Sequence, residues 1–211
     1  MGCMSLDHLV YATPDLESTA AELERLLGVR PAAGGRHPGF GTRNRLVRLG
    51  GTSYLEIVGP DPEQEPPATP RPFGIDRLEA AALVGWAVAV DDIDAVTARA
   101  RARGYDPGDP LDMSRRTPTG DLLAWRLTPP ERAGYDGLVP FLIDWGDTPH
   151  PAGPGLPAAE LVSLAGGHPH AEGVRAALAA VGARLDVDEQ TRPVLTAILS
   201  GGHGLVTLTG P

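Results

Sequence analysis

Lysine is missing altogether: all 18 basic residues of the 211-residue chain are arginine. Against 27 acidic residues they leave a formal net charge of -9. A surface of that sign lacks the basic face that phosphate backbones require, which excludes general nucleic-acid binding. Cys3 is the only cysteine, so neither an intrachain disulfide nor a cysteine-ligated zinc site can form, and a reducing cytoplasm is the expected compartment. No window approaches 18 uninterrupted apolar residues, and the first ten residues, MGCMSLDHLV, have no charged start and no long apolar stretch. A membrane span and a secretory leader are therefore not expected. Gly2 does not open a myristoylation signal, because position 6 is Leu rather than Ser or Thr. Walker, Rossmann and nucleophile-elbow motifs are also missing. What is there, 42% apolar and 21% charged residues, is ordinary soluble globular material with room for one large domain or two small ones.

The chain reads as repeated short units. Residues 6–12 predict a strand, and Thr13-Pro14-Asp15 predicts a helix start with Thr13 as the cap and Pro14 in the first turn. Leu16, Ala20, Leu23 and Leu27 then fall on one helical face, and Gly28 ends it. After a loop over Ala32–Gly41, the runs Asn44–Leu49 and Ser53–Val58 predict a β-hairpin turning at Gly50-Gly51-Thr52. The stretch DPEQEPPATPRP reads as a linker or surface loop. A second copy follows: a strand containing GWAVAV, a helix entered through Asp91-Asp92-Ile93, a hairpin over 113–128 turning at Thr117–Gly120, and a fourth strand from Leu138 to Trp145. A second Pro/Gly linker runs from Thr148 to Pro157. Beyond it a third, partial copy offers strand Glu160–Ala165, helix Ala171–Val181, and strands near Leu185–Val187, Pro193–Leu199 and Leu205–Leu208. The expected units are thus 4–60, 81–147 and 158–211, joined by 61–80 and 148–157.

The segment DHLVYATPDL (7–16), with the strand ending YLEI (54–57), carries the chemistry-bearing types His8 and Glu56. This pattern resembles the first module of the vicinal oxygen chelate superfamily, whose modules fold βαβββ. Within it, HPGFGTRNRLVRLGGTSYLEIVG (His37 to Gly59) is similar to the glyoxalase-like domain branch. The resemblance implies an α+β fold in which paired βαβββ modules form curved mixed sheets around a cavity, with the partial third module at the C-terminus. It also implies that His8 and Glu56 are metal ligands or catalytic groups. A divalent ion there (Zn, Ni, Fe or Mn) would act as a Lewis acid toward vicinal oxygens of a small substrate. Superposing DHLVYATPDL on VGWAVAVDDI, however, sets Gly85 on His8 and Ile143 on Glu56, with Asp144 one residue away on the opposite strand face, while the third copy offers Thr207. Two ligands hold an ion weakly unless His37, Asp144 or His150 converge on it. Without an ion, His8 and Glu56 remain a proton-transfer pair or polar anchors of a cavity.

The substrate-binding candidates are His37, Arg43, Asn44 and Arg116. A two-residue Gly50-Gly51 loop sets Arg45 opposite Glu56, whereas a three-residue loop sets Leu46 there and turns Asn44 inward; the resemblance favours Asn44 inward. Arg115-Arg116 has fork geometry for a carboxylate or phosphate, and equally suits a solvated hairpin end. Trp86, Trp125 and Trp145 are expected to fill core, His168-Pro169-His170 to form a capping loop, and Gly201–Gly204 a hairpin turn. The expected function is a glyoxalase-like protein that binds and transforms a small oxygen-rich metabolite. The alternative is a metal-free ligand-sequestering protein of the bleomycin-resistance type. The expected partner is a small molecule, with neither nucleic acid nor membrane, and the chain is expected to be a monomer or homodimer.

Overall fold

The computed structural model describes residues 5–117, 120, 122–153 and 155–211, without the side chain of Arg116. Cys3, and Pro118 and Thr119 of the expected second-hairpin turn, lie outside the described residues. The chain begins with strand β1 (Leu6–Ala12) and helix α1 (Leu16–Leu27). Asp15, not Thr13, caps the helix, its carboxylate accepting the Ser18 N–H at 3.1 Å. The Thr13 hydroxyl acts one step earlier, accepting the Asp15 N–H at 3.1 Å and meeting the Thr19 hydroxyl at 2.7 Å. Leu16, Ala20, Leu23 and Leu27 are buried, and Gly28 closes the helix in the left-handed region.

The expected loop after α1 contains a strand, β2 (Ala32–His37), followed by β3 (Thr42–Arg48) and β4 (Tyr54–Pro60). Composition hid β2, because Gly34 and Gly35 interrupt it where its pairing with β3 shifts register between Ala33 and Arg36. The hairpin turns at Gly50-Gly51, both with positive φ, and Ser53 N–H bonds the Gly50 carbonyl. Its register pairs Leu46 with Glu56 and Asn44 with Val58. Side chains alternate along a strand, so Thr42, Asn44 and Leu46 share one face while Arg43 and Arg45 take the other.

The same order recurs as β5 (Ala82–Ala89), α2 (Ile93–Ala102), β6 (Leu111–Arg116), β7 (Leu122–Leu127) and β8 (Phe141–Asp144). Each half has one strand order, β1-β4-β3-β2 and β5-β8-β7-β6, and the halves join through antiparallel β1–β5 and through β2–β6 to close a barrel. The segment 61–80 lies against this barrel. A 3-10 turn at Pro72–Arg77 buries Ile75 in the interior with Val10, Ala12 and Val58.

The last unit is β9 (Glu160–His168), α3 (Ala171–Val181), β10 (Asp186–Glu189), β11 (Val194–Gly201) and β12 (Gly204–Gly210). It repeats the element order, yet its sheet runs β10-β9-β11-β12, so its first strand takes the second as parallel neighbour rather than the last. This sheet packs on the outside of the barrel at β5 and α1, sharing one apolar cluster that includes Leu9, Leu55, Leu83, Leu195 and Leu199. Each such fully buried side chain contributes about 1.5–3 kcal/mol. The approach is close enough that a Cβ on Gly210 would stand 1.7 Å from the Leu83 carbonyl oxygen. No helix among the described residues is long and apolar enough to cross a membrane.

Candidate functional site

Inside the barrel, β1 presents His8, β3 presents Thr42 and Asn44, and β4 presents Tyr54 and Glu56 to a cavity of about 120 Å³. The second half faces them with Phe141 and Ile143 on β8, Trp125 on β7 and Trp145 just beyond β8. The paired residues His8–Tyr54 and Ala87–Phe141 occupy corresponding places in the two parallel strand pairs. The counterpart of His8 is therefore Ala87, not the Gly85 reached by counting from the helix caps. Seven residues separate His8 from the Asp15 cap and five separate Ala87 from the Asp92 cap, which is the two-residue difference. Glu56 corresponds to Ile143 as expected, and Asn44 to Trp125, so the polar wall of one half meets hydrocarbon in the other.

His8 is 4% exposed and its Nδ1 donates to the Asp7 carboxylate at 2.5 Å. Neighbours on a regular strand point to opposite faces, but one of the β1–β5 register shifts falls between Leu6 and His8 and brings Asp7 to the side of the ring. The same carboxylate accepts Trp145 Nε1–H at 2.9 Å and His150 Nε2–H at 2.9 Å. His150 is fixed in that tautomer because its Nδ1 accepts the Ala152 N–H. Burial pushes the Asp7 carboxyl up, but hydrogen bonds from His150 and His8, with their charge, outweigh burial and hold it well below the ordinary carboxylate range. The His8 ring stacks on Tyr54, centroids 4.8 Å apart, and its Nε2 lies 3.9 Å from Glu56 Oε2.

Glu56 is held by its other oxygen, which accepts Asn44 Nδ2–H at 2.6 Å. Asn44 is oriented in turn by the Gly35 N–H, donated to its Oδ1 at 2.7 Å. Gly34 makes room for this, since a Cβ there would come within 2.1 Å of Asn44 Oδ1. His37 completes the wall, with Nε2 at 3.8 Å from Glu56 Oε1 and Nδ1 at 2.9 Å from the Thr42 hydroxyl. Burial lowers the His37 pKa and the Arg115 charge adds to that, against the pull of Glu56. Burial raises the Tyr54 hydroxyl well above its usual range, helped by Asp7 and Glu56, so it stays a neutral donor.

The structure thus brings together His8, Glu56, Asn44 and His37. Arg43 points to the other face, where its guanidinium bonds Glu17 on α1 at 3.0 Å, and the Arg116 side chain lies outside the described residues. Arg115 lines the cavity. Asp144 also faces outward, accepting the Ile93 and Gly146 N–H groups. Thr207 is exposed on β12, remote from the cavity lining. Trp86 fills core, with Nε1–H on the Leu138 carbonyl; Trp125 belongs to a second buried cluster with Trp145 packed against it, and these two rings, 5.2 Å apart, also line the cavity. Asp7 and Tyr54 are not singled out from sequence; His150 is, beside His37 and Asp144, and the structure sets its ring on Asp7. Asp7 adjoins His8 in the motif, but only the bulge turns it inward, and His150 comes from the expected linker.

A firmly held divalent ion needs at least three protein donors. Here the facing donors are all on one wall, Glu56 is engaged by Asn44, and the corresponding second-half positions are Ala87 and Ile143. Among the described residues no group of three His, Cys, Asp or Glu side chains is arranged to hold an ion. The donor set does not fit a resident metal.

The sequence profile of the glyoxalase-like domain matches residues 6–182. A hypothetical protein from Staphylococcus aureus is similar in structure, with TM-score 0.61 and 15% identity over 97% of this chain and 84% of that one. A mutant of 4-hydroxymandelate synthase from Streptomyces coelicolor gives TM-score 0.54 at 15% identity, over 100% of this chain and 64% of that one. Methylmalonyl-CoA epimerase from Mycobacterium tuberculosis gives TM-score 0.46 at 18% identity, over 71% of this chain and 92% of that one. No curated protein matches the sequence.

Proposed function

We propose, for a chain that belongs to the glyoxalase-like domain family of the vicinal oxygen chelate superfamily, that it transfers protons on a small oxygen-bearing metabolite held in the barrel. The observation that carries this reading is the placement of His8 Nε2 and Glu56 Oε2 3.9 Å apart on one wall of the cavity. That gap is too long for a direct hydrogen bond, yet one substrate atom can sit about 2.8 Å from both groups. With Nδ1 bonded to Asp7, the His8 ring can present only Nε2 to the ligand. One member of the pair takes a proton from carbon next to a carbonyl, the C–H electron pair becomes the C=C bond of an enolate, and the carbonyl π pair moves onto the oxygen. The other member donates to that oxygen as its charge develops. Asn44 fixes Glu56, and the aromatic walls exclude water. No step requires an ion.

A second reading, sequestration without chemistry, is favoured by the hydrocarbon wall of Trp125, Phe141, Ile143 and Trp145. Hydroxyacetone and 2-oxobutyrate in deuterated buffer separate the two. Proton transfer predicts protein-dependent loss of the exchangeable C–H signal by NMR, abolished in Glu56→Gln. Ligand binding with no exchange above buffer rejects proton transfer in favour of sequestration.

A further inference from the structure

Arg115 projects from β6 into the cavity and is 5% exposed. Its one hydrogen bond within the described residues runs from Nη1 to the Gly34 carbonyl at 3.3 Å. Other arginines meet carboxylates: Arg36 pairs with Asp61 and Glu63, Arg43 and Arg45 with Glu17, and Arg71 with Asp76. Arg115, more deeply buried than any of these, forms no ion pair with a described carboxylate. A guanidinium carries five N–H donors in a fork, and leaving such a charge buried without a counter-charge is costly. Its field reaches His37 on the neighbouring strand β2, whose charged form it opposes, and Tyr54 on β4, whose charged form it favours. Arg115 also lines a neighbouring cleft beside Gly34 and Gly35.

We propose that the missing counter-charge is supplied by the ligand, whose carboxylate docks on Arg115 while its oxygen-bearing end meets His8 and Glu56. The inference rests on the same cavity as the function above and names the class of its ligand. Phe73, Met113, Trp125 and Trp145 line the space between the two ends, which selects a small carboxylic acid with an apolar body. The planar fork matches a carboxylate in two parallel hydrogen bonds.

The test uses thermal melts and calorimetric titration of wild type, Arg115→Met and Arg115→Gln, with native near-UV circular dichroism as the check on folding. The probes are sodium phenylacetate and 2-oxobutyrate, the neutral phenylacetamide, inorganic phosphate, and sodium chloride at matched ionic strength. The expected result is stabilisation of the wild type by the carboxylates over the other three, an affinity about tenfold or more weaker in both variants, and a higher ligand-free Tm for Arg115→Met. Equal binding of phenylacetamide, preference for phosphate, binding by neither carboxylate, unchanged affinity in the variants, or failure of both variants to fold would each overturn the proposal. Proton exchange by the wild type separates this claim from the catalytic one: Arg115-dependent carboxylate binding without any exchange upholds the present proposal and rejects proton transfer.

Discussion

Replacing Asp7 with asparagine removes a charge that three donors were built to meet. The buried carboxylate accepts His8 Nδ1–H, Trp145 Nε1–H and His150 Nε2–H, and an amide in its place turns two N–H groups toward donors. Hydrogen bonds to a charged group are worth about 1.5–3 kcal/mol each. Breaking one side of a buried charged network costs about 3–5 kcal/mol in total. For a chain of this size, 1 kcal/mol corresponds to about 2–4 °C, so Asp7→Asn should lower Tm by about 6–20 °C at pH 7. The pH dependence has a definite sign. The folded Asp7 pKa lies below its unfolded value, so its contribution is complete above about pH 4 and is lost as pH falls toward the folded value. The gap between melts of the two proteins should therefore start to narrow below about pH 4 and still be open at about pH 3. A variant within 1 °C of wild type at pH 7, on a scale set by about 2–4 °C per kcal/mol, or a gap that widens on acidification, would refute this account of the network.

Gly34→Ala should push Asn44 off the Gly35 N–H and release Glu56, at a cost of about 1–3 kcal/mol; chemical denaturation measures the loss, and Asn44 side-chain NMR signals should shift with it. His37 has a lowered pKa through burial, so the unfolded chain takes up its proton first, and the His37 contribution to stability is lost as pH falls below about 6.5. His37→Gln should remove that part of the pH profile, and a titration of the wild-type ring by NMR with a midpoint above 6.5 would contradict it.

Much of the frame was legible because periodicity and turn chemistry agreed. Leu16, Ala20, Leu23 and Leu27 announce α1, and Gly50-Gly51 announces the hairpin whose register puts Asn44 beside Glu56. Segments held by distant pairing were less visible. β2 carries two glycines and no alternation, so nothing local marks it as a strand, and only β3 and β6 keep it in place. Asp7 sits where alternation assigns it to the far face, and a bulge, a property of the pair β1–β5, overrules that assignment. His150 belongs to the expected linker, yet its ring reaches back 143 positions to Asp7.

Two halves with one strand order would, if their inner faces matched, offer a guest two equivalent ways to lie, related by the axis between β1 and β5. Replacement of His8 by Ala87, Asn44 by Trp125 and Glu56 by Ile143 across that axis removes the degeneracy. A prochiral molecule in this chamber would meet the imidazole and carboxylate on one wall only, so its two ways of lying would differ in energy.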